Sequence, residues 1–231
     1  MSSNTFGIEN FSSGPGRLRK SITFTDLVSI SALAWVYTLT NSFGPTEVND
    51  ARGGGVTFTN GTADNDAIEA QSVSEFVRLN LTGQTYKFLF TQVDLSDATQ
   101  MDMILALCKR TTTMFTLMSD ALFWRKADGE TDWRTGHAFN AAAVGDYSEH
   151  ANTGVDTDPH DLGIKVETDG NTLGEADVTF YLDGVVLDGP YHTTTLPHDE
   201  ELCIGIGVMN GEAAAKSLSL QSIEIDIPIA A

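Results

Sequence analysis

The chain has 231 residues and a formal net charge of −19, with 41% apolar and 9% aromatic residues. That composition can fill one large core, and no run approaches the roughly 18 apolar residues of a membrane helix, so a soluble single-domain body with no membrane contact is expected. Residues 1–144 carry 15 acidic and 11 basic groups while residues 145–231 carry 17 acidic and 2 basic groups, so the C-terminal part is polyanionic and should repel nucleic acid and anionic lipid.

Taken in chain order, Met1 to Gly7 lacks a basic start followed by an apolar stretch, so a Sec signal is not expected and synthesis in a cytoplasm is. Residues 1 to about 21 are rich in Ser, Gly and Asn, and Ser12-Ser13-Gly14-Pro15-Gly16 opens onto the concentrated basic patch Arg17, Arg19 and Lys20. This predicts a mobile N-terminal arm whose cations contact a partner or a neighbouring subunit. Residues 1–32 are therefore assigned to an arm and anchoring segment and residues 33–231 to the body. Ser21 to Thr25 alternates like a strand, while Asp26 with Leu27, Ile30 and Ala34 could form a short capped helix; strand first and irregular structure from there to Thr40 is the expectation.

The body reads as a succession of antiparallel strands. Phe76 to Leu81 alternates Val77, Leu79 and Leu81 against Arg78 and Asn80, and Thr82-Gly83-Gln84 turns the chain into a strand over Tyr86 to Leu95. Met101 to Cys108 is apolar on both faces, as a central strand is, and the series continues through Met114 to Met118 and Ala121 to Lys126. Leu162, Ile164 and Val166 alternate with polar partners, and Asp183-Gly184 splits the run Val178 to Leu187 as a two-residue hairpin turn. The last strands run from Leu202 to Met209 and over Leu218, Leu220, Ile223, Ile225 and Ile227, where the change of phase places a bulge near Gln221-Ser222. Cys108 and Cys203 both sit in apolar strands and read as small hydrophobes.

With those segments in place a resemblance can be given. The runs Tyr86 to Asp97, Phe123 to Gly129, Phe180 to Gly184 and Ile223 to Ile227 resemble the concanavalin A-like (laminin G-like) jelly-roll sandwich, in the version found in virion structural proteins of tailed bacteriophages, including head-decoration proteins. The resemblance implies an all-β antiparallel sandwich with an extended N-terminal arm. It also implies a non-enzymatic structural protein of the virion, made in the host cytoplasm, whose expected role is capsid decoration: it binds the major capsid protein or other virion proteins and stabilises the head shell as a closed homo-oligomer such as a trimer.

Glycosidases share this fold, and they place catalytic carboxylates at alternate positions of one strand. The nearest run here, Glu224-Ile225-Asp226, lacks the third carboxylate and reads as the water-facing side of a strand. No Gly-x-Ser-x-Gly elbow is present, and His137, His150, His160, His192 and His198 fall among polar residues and read as loop histidines. The acidic loops Asp128 to Asp132 and Asp156 to Asp161 match no EF-hand. No catalytic residue, metal or cofactor is therefore assigned. Among Trp124, Trp133, Phe139, Tyr147 and Tyr191, which could line a sugar platform, Trp124 reads as core, while Trp133 and Tyr147 lie between polar residues and are the candidates for glycan or partner contact. Carbohydrate binding is the alternative to the capsid role.

Overall fold

The computed structural model describes residues 16–23, 35–41, 46–48, 55–73, 75–143, 147–152 and 154–228. Among them there are strands and no helix: β1 (Arg17–Thr23), β2 (Trp35–Thr40), β3 (Thr46–Val48), β4 (Gly55–Thr59), β5 (Ala67–Ser72), β6 (Thr85–Leu95), β7 (Met101–Cys108) and β8 (Ala121–Lys126). The series continues with β9 (Trp133–Ala138), β10 (Ser148–Asn152), β11 (His160–Thr168), β12 (Ala176–Leu182), β13 (Val185–Thr193), β14 (Cys203–Asn210), β15 (Ser217–Leu220) and β16 (Ser222–Pro228).

One sheet runs β13-β12-β11-β6-β15-β4-β3, with β16 also paired to β6 and β1 paired to β16, and the other runs β10-β9-β8-β7-β14-β5-β2. The period-2 pattern turns one row of each strand inward. Phe88 and Phe90, Ile164 and Val166, Leu105 and Leu107, and Ile204 and Ile206 meet in one core between the sheets. Each such side chain contributes about 1.5–3 kcal/mol when removed from water. Trp124 is fully buried there, in edge contact with Trp133 and Phe180 at 5.9 and 5.7 Å.

The turn over Asp183-Gly184 forms as the dipeptide requires, with φ of 51° and 78°. The phase change also falls where expected. β15 pairs with the far end of β6 and β16 with its near end, and Gln221 between them donates its N–H to the Thr91 carbonyl at 3.0 Å. Two expected strands do not form. Val77 makes only an isolated bridge to Leu202, and the Leu81 N–H is drawn off to the Tyr86 hydroxyl at 3.1 Å. Met114 to Met118 is a turn, because the side chains of Glu69 and Gln71 bind the backbone of its segment and take the place of a ladder.

The basic patch also lies elsewhere than in a free arm. Residues 1–15 fall outside the described residues, whereas 17–23 form β1, hydrogen-bonded along β16 from Arg17↔Pro228 to Thr23↔Ser222. Arg17 Nε lies 2.7 Å and Arg19 Nε 3.4 Å from the two carboxylate oxygens of Asp226. Asp226 is buried rather than facing water, because these two guanidiniums cover it.

Candidate functional site

At one edge of the sandwich the core gives way to a polar seam. Alternation turns Trp133, Thr135 and His137 of β9 inward, and β10 sets Asn152, His150 and Ser148 opposite them on the same face. From the other sheet β13 contributes Asp188, Tyr191 and Thr193, whose cross-strand neighbours Phe180, Val178 and Ala176 are core residues. Two polar edge strands thus face each other where the apolar rows run out.

Most of the seam's polar groups are hydrogen-bonded to one another. Asp188 Oδ2 accepts from Thr135 Oγ1 at 2.5 Å and from Asn152 Nδ2 at 3.0 Å, and its other oxygen accepts from the Tyr191 hydroxyl. The His150 ring stacks on Tyr191 with centroids 3.9 Å apart and planes 9° from parallel. His137 Nε2 lies 3.1 Å from Thr193 Oγ1, and burial, followed by the neighbouring His150, lowers its pKa and favours the neutral ring. Among the described residues the Trp133 indole N–H, buried beside this cluster, has no hydrogen-bond partner. Half-buried aromatic rings next to a carboxylate, an amide and hydroxyls form the set of groups that recognises a polyol, the rings covering apolar sugar faces and the polar groups bonding hydroxyls.

The outer face of the second sheet is differently used. The segment between β7 and β8 lies across it: Gln71 exchanges hydrogen bonds with the Thr111 N–H (2.9 Å) and carbonyl (2.8 Å), and Glu69 accepts from Thr113 Oγ1 at 2.8 Å and from the Met114 N–H. Gly205 and Gly207 make room beneath it, since a Cβ at Gly205 would fall 2.5 Å from Met114 Sδ and one at Gly207 3.0 Å from the Phe115 ring. Burial raises the Glu69 carboxyl pKa, and the bonds to the segment oppose that. The middle of this face is therefore closed by the chain itself.

No protein-family model matches the chain, and no curated protein matches it by sequence. Solved structures do match. The carbohydrate recognition domain of Emp46p in its metal-free form superposes with a TM-score of 0.57 at 12% identity, over 88% of this chain and 93% of that one. The fold is a lectin-like jelly roll. A conserved carbohydrate esterase from Shiga toxin-encoding bacteriophage phi24B shares this jelly roll with a TM-score of 0.54 and 16% identity, over 90% and 97% of the two chains. The CBM2 module of Lactobacillus casei BL23 phage J-1 evolved Dit does so at 0.53 and 8%, over 94% and 98%. At these identities the likeness to the lectin-like jelly roll establishes architecture alone.

Within that jelly roll the residues singled out from sequence do not converge. Trp133 is fully buried, T-shaped against Trp124 and His160, because its polar neighbours Asp132 and Arg134 point away from the face it occupies. Tyr147 is half-buried at 5.4 Å from Phe123, and its hydroxyl accepts the Met118 N–H. Arg17 and Arg19 pair with Asp226 as described, and the Lys20 backbone is part of β1. Of the histidines only His198 is outside a strand. His160 stands between Asp183 at 2.8 Å and Asp156 at 2.9 Å. Asn152, Thr135 and Asp188 escape the sequence reading and His150 is read there as a loop histidine, although polar residues at every inward position of β10 mark an edge that the core does not fill.

Proposed function

We propose that the chain is a non-enzymatic carbohydrate-binding module of lectin-like type, carried on a phage particle, whose glycan contact is made by His150, Tyr191 and Asn152, held in place by the buried Asp188 and Thr135. The observation that supports it most is the stacked His150–Tyr191 pair adjoining a carboxylate already fixed by Thr135 and Asn152. Ordering such groups before the ligand arrives lowers the entropy lost on binding. Two of the neighbouring folds come from phages and two are named for carbohydrate, which agrees with this reading. Attachment to a capsid shell draws on a free basic arm, and with Arg17 and Arg19 held by Asp226 it has less behind it than glycan binding. Display on a homo-oligomer would let several weak sites add.

Retention on a panel of immobilised polysaccharides, including β-glucan and chitin, tests the reading. His150→Ala and Tyr191→Ala should weaken retention about tenfold, the equivalent of about 1.4 kcal/mol of lost stacking, while Glu224→Gln leaves it unchanged. Retention by both folded alanine variants at the wild-type level would remove the seam from consideration. Co-sedimentation with empty capsid shells, without any polysaccharide retention, would restore the decoration role.

A further inference from the structure

A second site, away from the seam, lies under the segment that covers the outer face of the second sheet. β7 and β14 are neighbours there, and their register sets Cys108 directly opposite Cys203. Alternation turns both outward: Leu107 and Ile204 fill the core between the sheets, whereas Cys108 and Cys203 join Met114 and Met118 in a separate apolar cluster beneath the segment. Two cysteines 95 positions apart thus share one face and one rung of the ladder, with their Sγ atoms 3.9 Å apart. Both are fully buried.

The backbone already meets the requirement of a bond between them. Directly opposed residues of an antiparallel pair have Cα atoms about 4.5–5.5 Å apart, inside the roughly 4.4–6.8 Å that a disulfide spans. The sulfurs need only approach from 3.9 Å to about 2.05 Å, which turning of the two side chains supplies without moving a strand. A side chain at position 205 would crowd that movement, since a Cβ on Gly205 would stand 3.0 Å from Cys108 Sγ and 2.5 Å from Met114 Sδ. The one other hydrogen bond of the pair is weak, from the Cys203 thiol to Gln71 Oε1 at 4.0 Å.

We infer that Cys108 and Cys203 form a redox site, which closes into a cross-strand disulfide tying β7 to β14 when the chain meets a small-molecule disulfide such as oxidised glutathione. The thiolate of one cysteine attacks a sulfur of the oxidant and expels one small thiol; the second cysteine then attacks the protein-bound sulfur of the mixed disulfide and expels the other. The two cysteines lose two electrons, the oxidant gains them, and both protons leave on the released thiols. The hydrogen bond to Cys203, together with burial, raises the Cys108 pKa, so the thiolate is scarce while the segment between β7 and β8 covers it and the first step is slow. The second step is fast, because the partner sulfur is already adjacent. The same cover keeps a second chain out, so the product is an intramolecular bond rather than a dimer. A reducing compartment holds such a pair as thiols and an oxidising one closes it.

The test exposes the reduced whole chain, in native buffer at about pH 8, to an excess of oxidised glutathione, and reads intact mass, proteolytic peptides and melting. Expected are a loss of about 2 Da with no glutathione retained and a peptide pair joined through Cys108 and Cys203. Tm should rise by about 5–15 °C over that of the reduced chain, as follows from closing a loop of 95 residues in a domain of this size, and dithiothreitol should reverse both changes. Cys203→Ala should lose the response of Tm to the oxidant, while the wild-type readings stand whether or not that variant folds. Two free thiols after prolonged exposure, glutathione retained on either cysteine, disulfide-linked dimers, or closure only after unfolding in urea would each overturn the site. So would an oxidised chain that melts at or below the reduced one, or an undiminished response in Cys203→Ala.

Discussion

His160 shows what a pair of side chains does at a strand end. Its burial opposes the charge, but hydrogen bonds and charge from Asp183 and Asp156 outweigh that and raise the pKa above the ordinary histidine value. A raised pKa means that the stabilisation is fully present below the unfolded value of about 6.5 and is lost as pH climbs through the higher folded value. Tm should therefore fall on going from about pH 6 to about pH 8.5, and Asp183→Asn, which keeps the turn residue tolerant of positive φ, should flatten that fall. Both carboxylates are more than half exposed, at 52% and 57%, so screening limits the difference to a few degrees. His137 titrates with the opposite sign, its pKa lowered by burial, and it is the same in both proteins, so the difference isolates the clamp. An unchanged pH profile in Asp183→Asn would disprove it. Trp133 is the complementary case. Fully buried, it should cost about 3–5 kcal/mol when cut to alanine, seen as a loss of Tm of roughly 10 °C. Asp132 and Arg134 make it look exposed in sequence, since neighbours on a strand report the opposite face; alternation from Thr135 places it inward, whereas the contacts of His160 with residues 4 and 23 positions away have no local signal.

Among the elements, those that rest on local rules are legible in the sequence. The Asp183-Gly184 hairpin, the long alternating β6 and the phase break at Gln221 follow from turn chemistry and period. β1 reads as the root of an arm because its partner β16 lies at the opposite end of the chain, and pairing at that distance leaves no trace in a local window. The consequence can be measured. Deleting residues 1–23 removes a full strand ladder, the buried Ile22 and the two guanidiniums that cover Asp226, and opens the edge of β16 to water. Loss of Ile22 alone costs about 2–5 kcal/mol, so the truncated chain should melt well below the full one. Asp226→Asn in the full chain should also lower Tm, because the guanidiniums then lose their carboxylate, whereas in the truncated chain, where Asp226 faces water, the same change should have little effect. Identical melting of the full and truncated chains would return residues 17–23 to the status of a dispensable arm. The seam is harder to foresee for a related reason: its polar groups come from β9, β10 and β13, and only the facing of two sheet edges brings them together.

For the whole molecule, the uneven charge along the chain becomes a folding constraint. The C-terminal 87 residues hold 17 of the 32 acids and 2 of the 13 bases, yet cations from the first 144 residues reach them: Arg17 and Arg19 at Asp226, Lys109 at Glu200, Arg78 at Glu201, and Arg125 with Arg134 at Glu149. Most of these contacts are partly exposed and individually weak, so their value is in lowering self-repulsion rather than in binding energy. The strands impose the same dependence more strongly. The chain passes between the sheets repeatedly, β5 and β7 lying in one and β4 and β6 in the other, and β14 slots between β7 and β5 late in the sequence. Neither sheet can be completed from one part of the chain, and the core is shared by both. The molecule should therefore unfold in one step, with calorimetric and van't Hoff enthalpies in a ratio near unity, and residues 1–144 and 145–231 produced separately should each lack a cooperative transition. Two resolved transitions in the intact chain, or a separately folding C-terminal fragment despite its net charge of −15, would mean that the sheets are energetically independent and that the interleaved order of strands does not control stability.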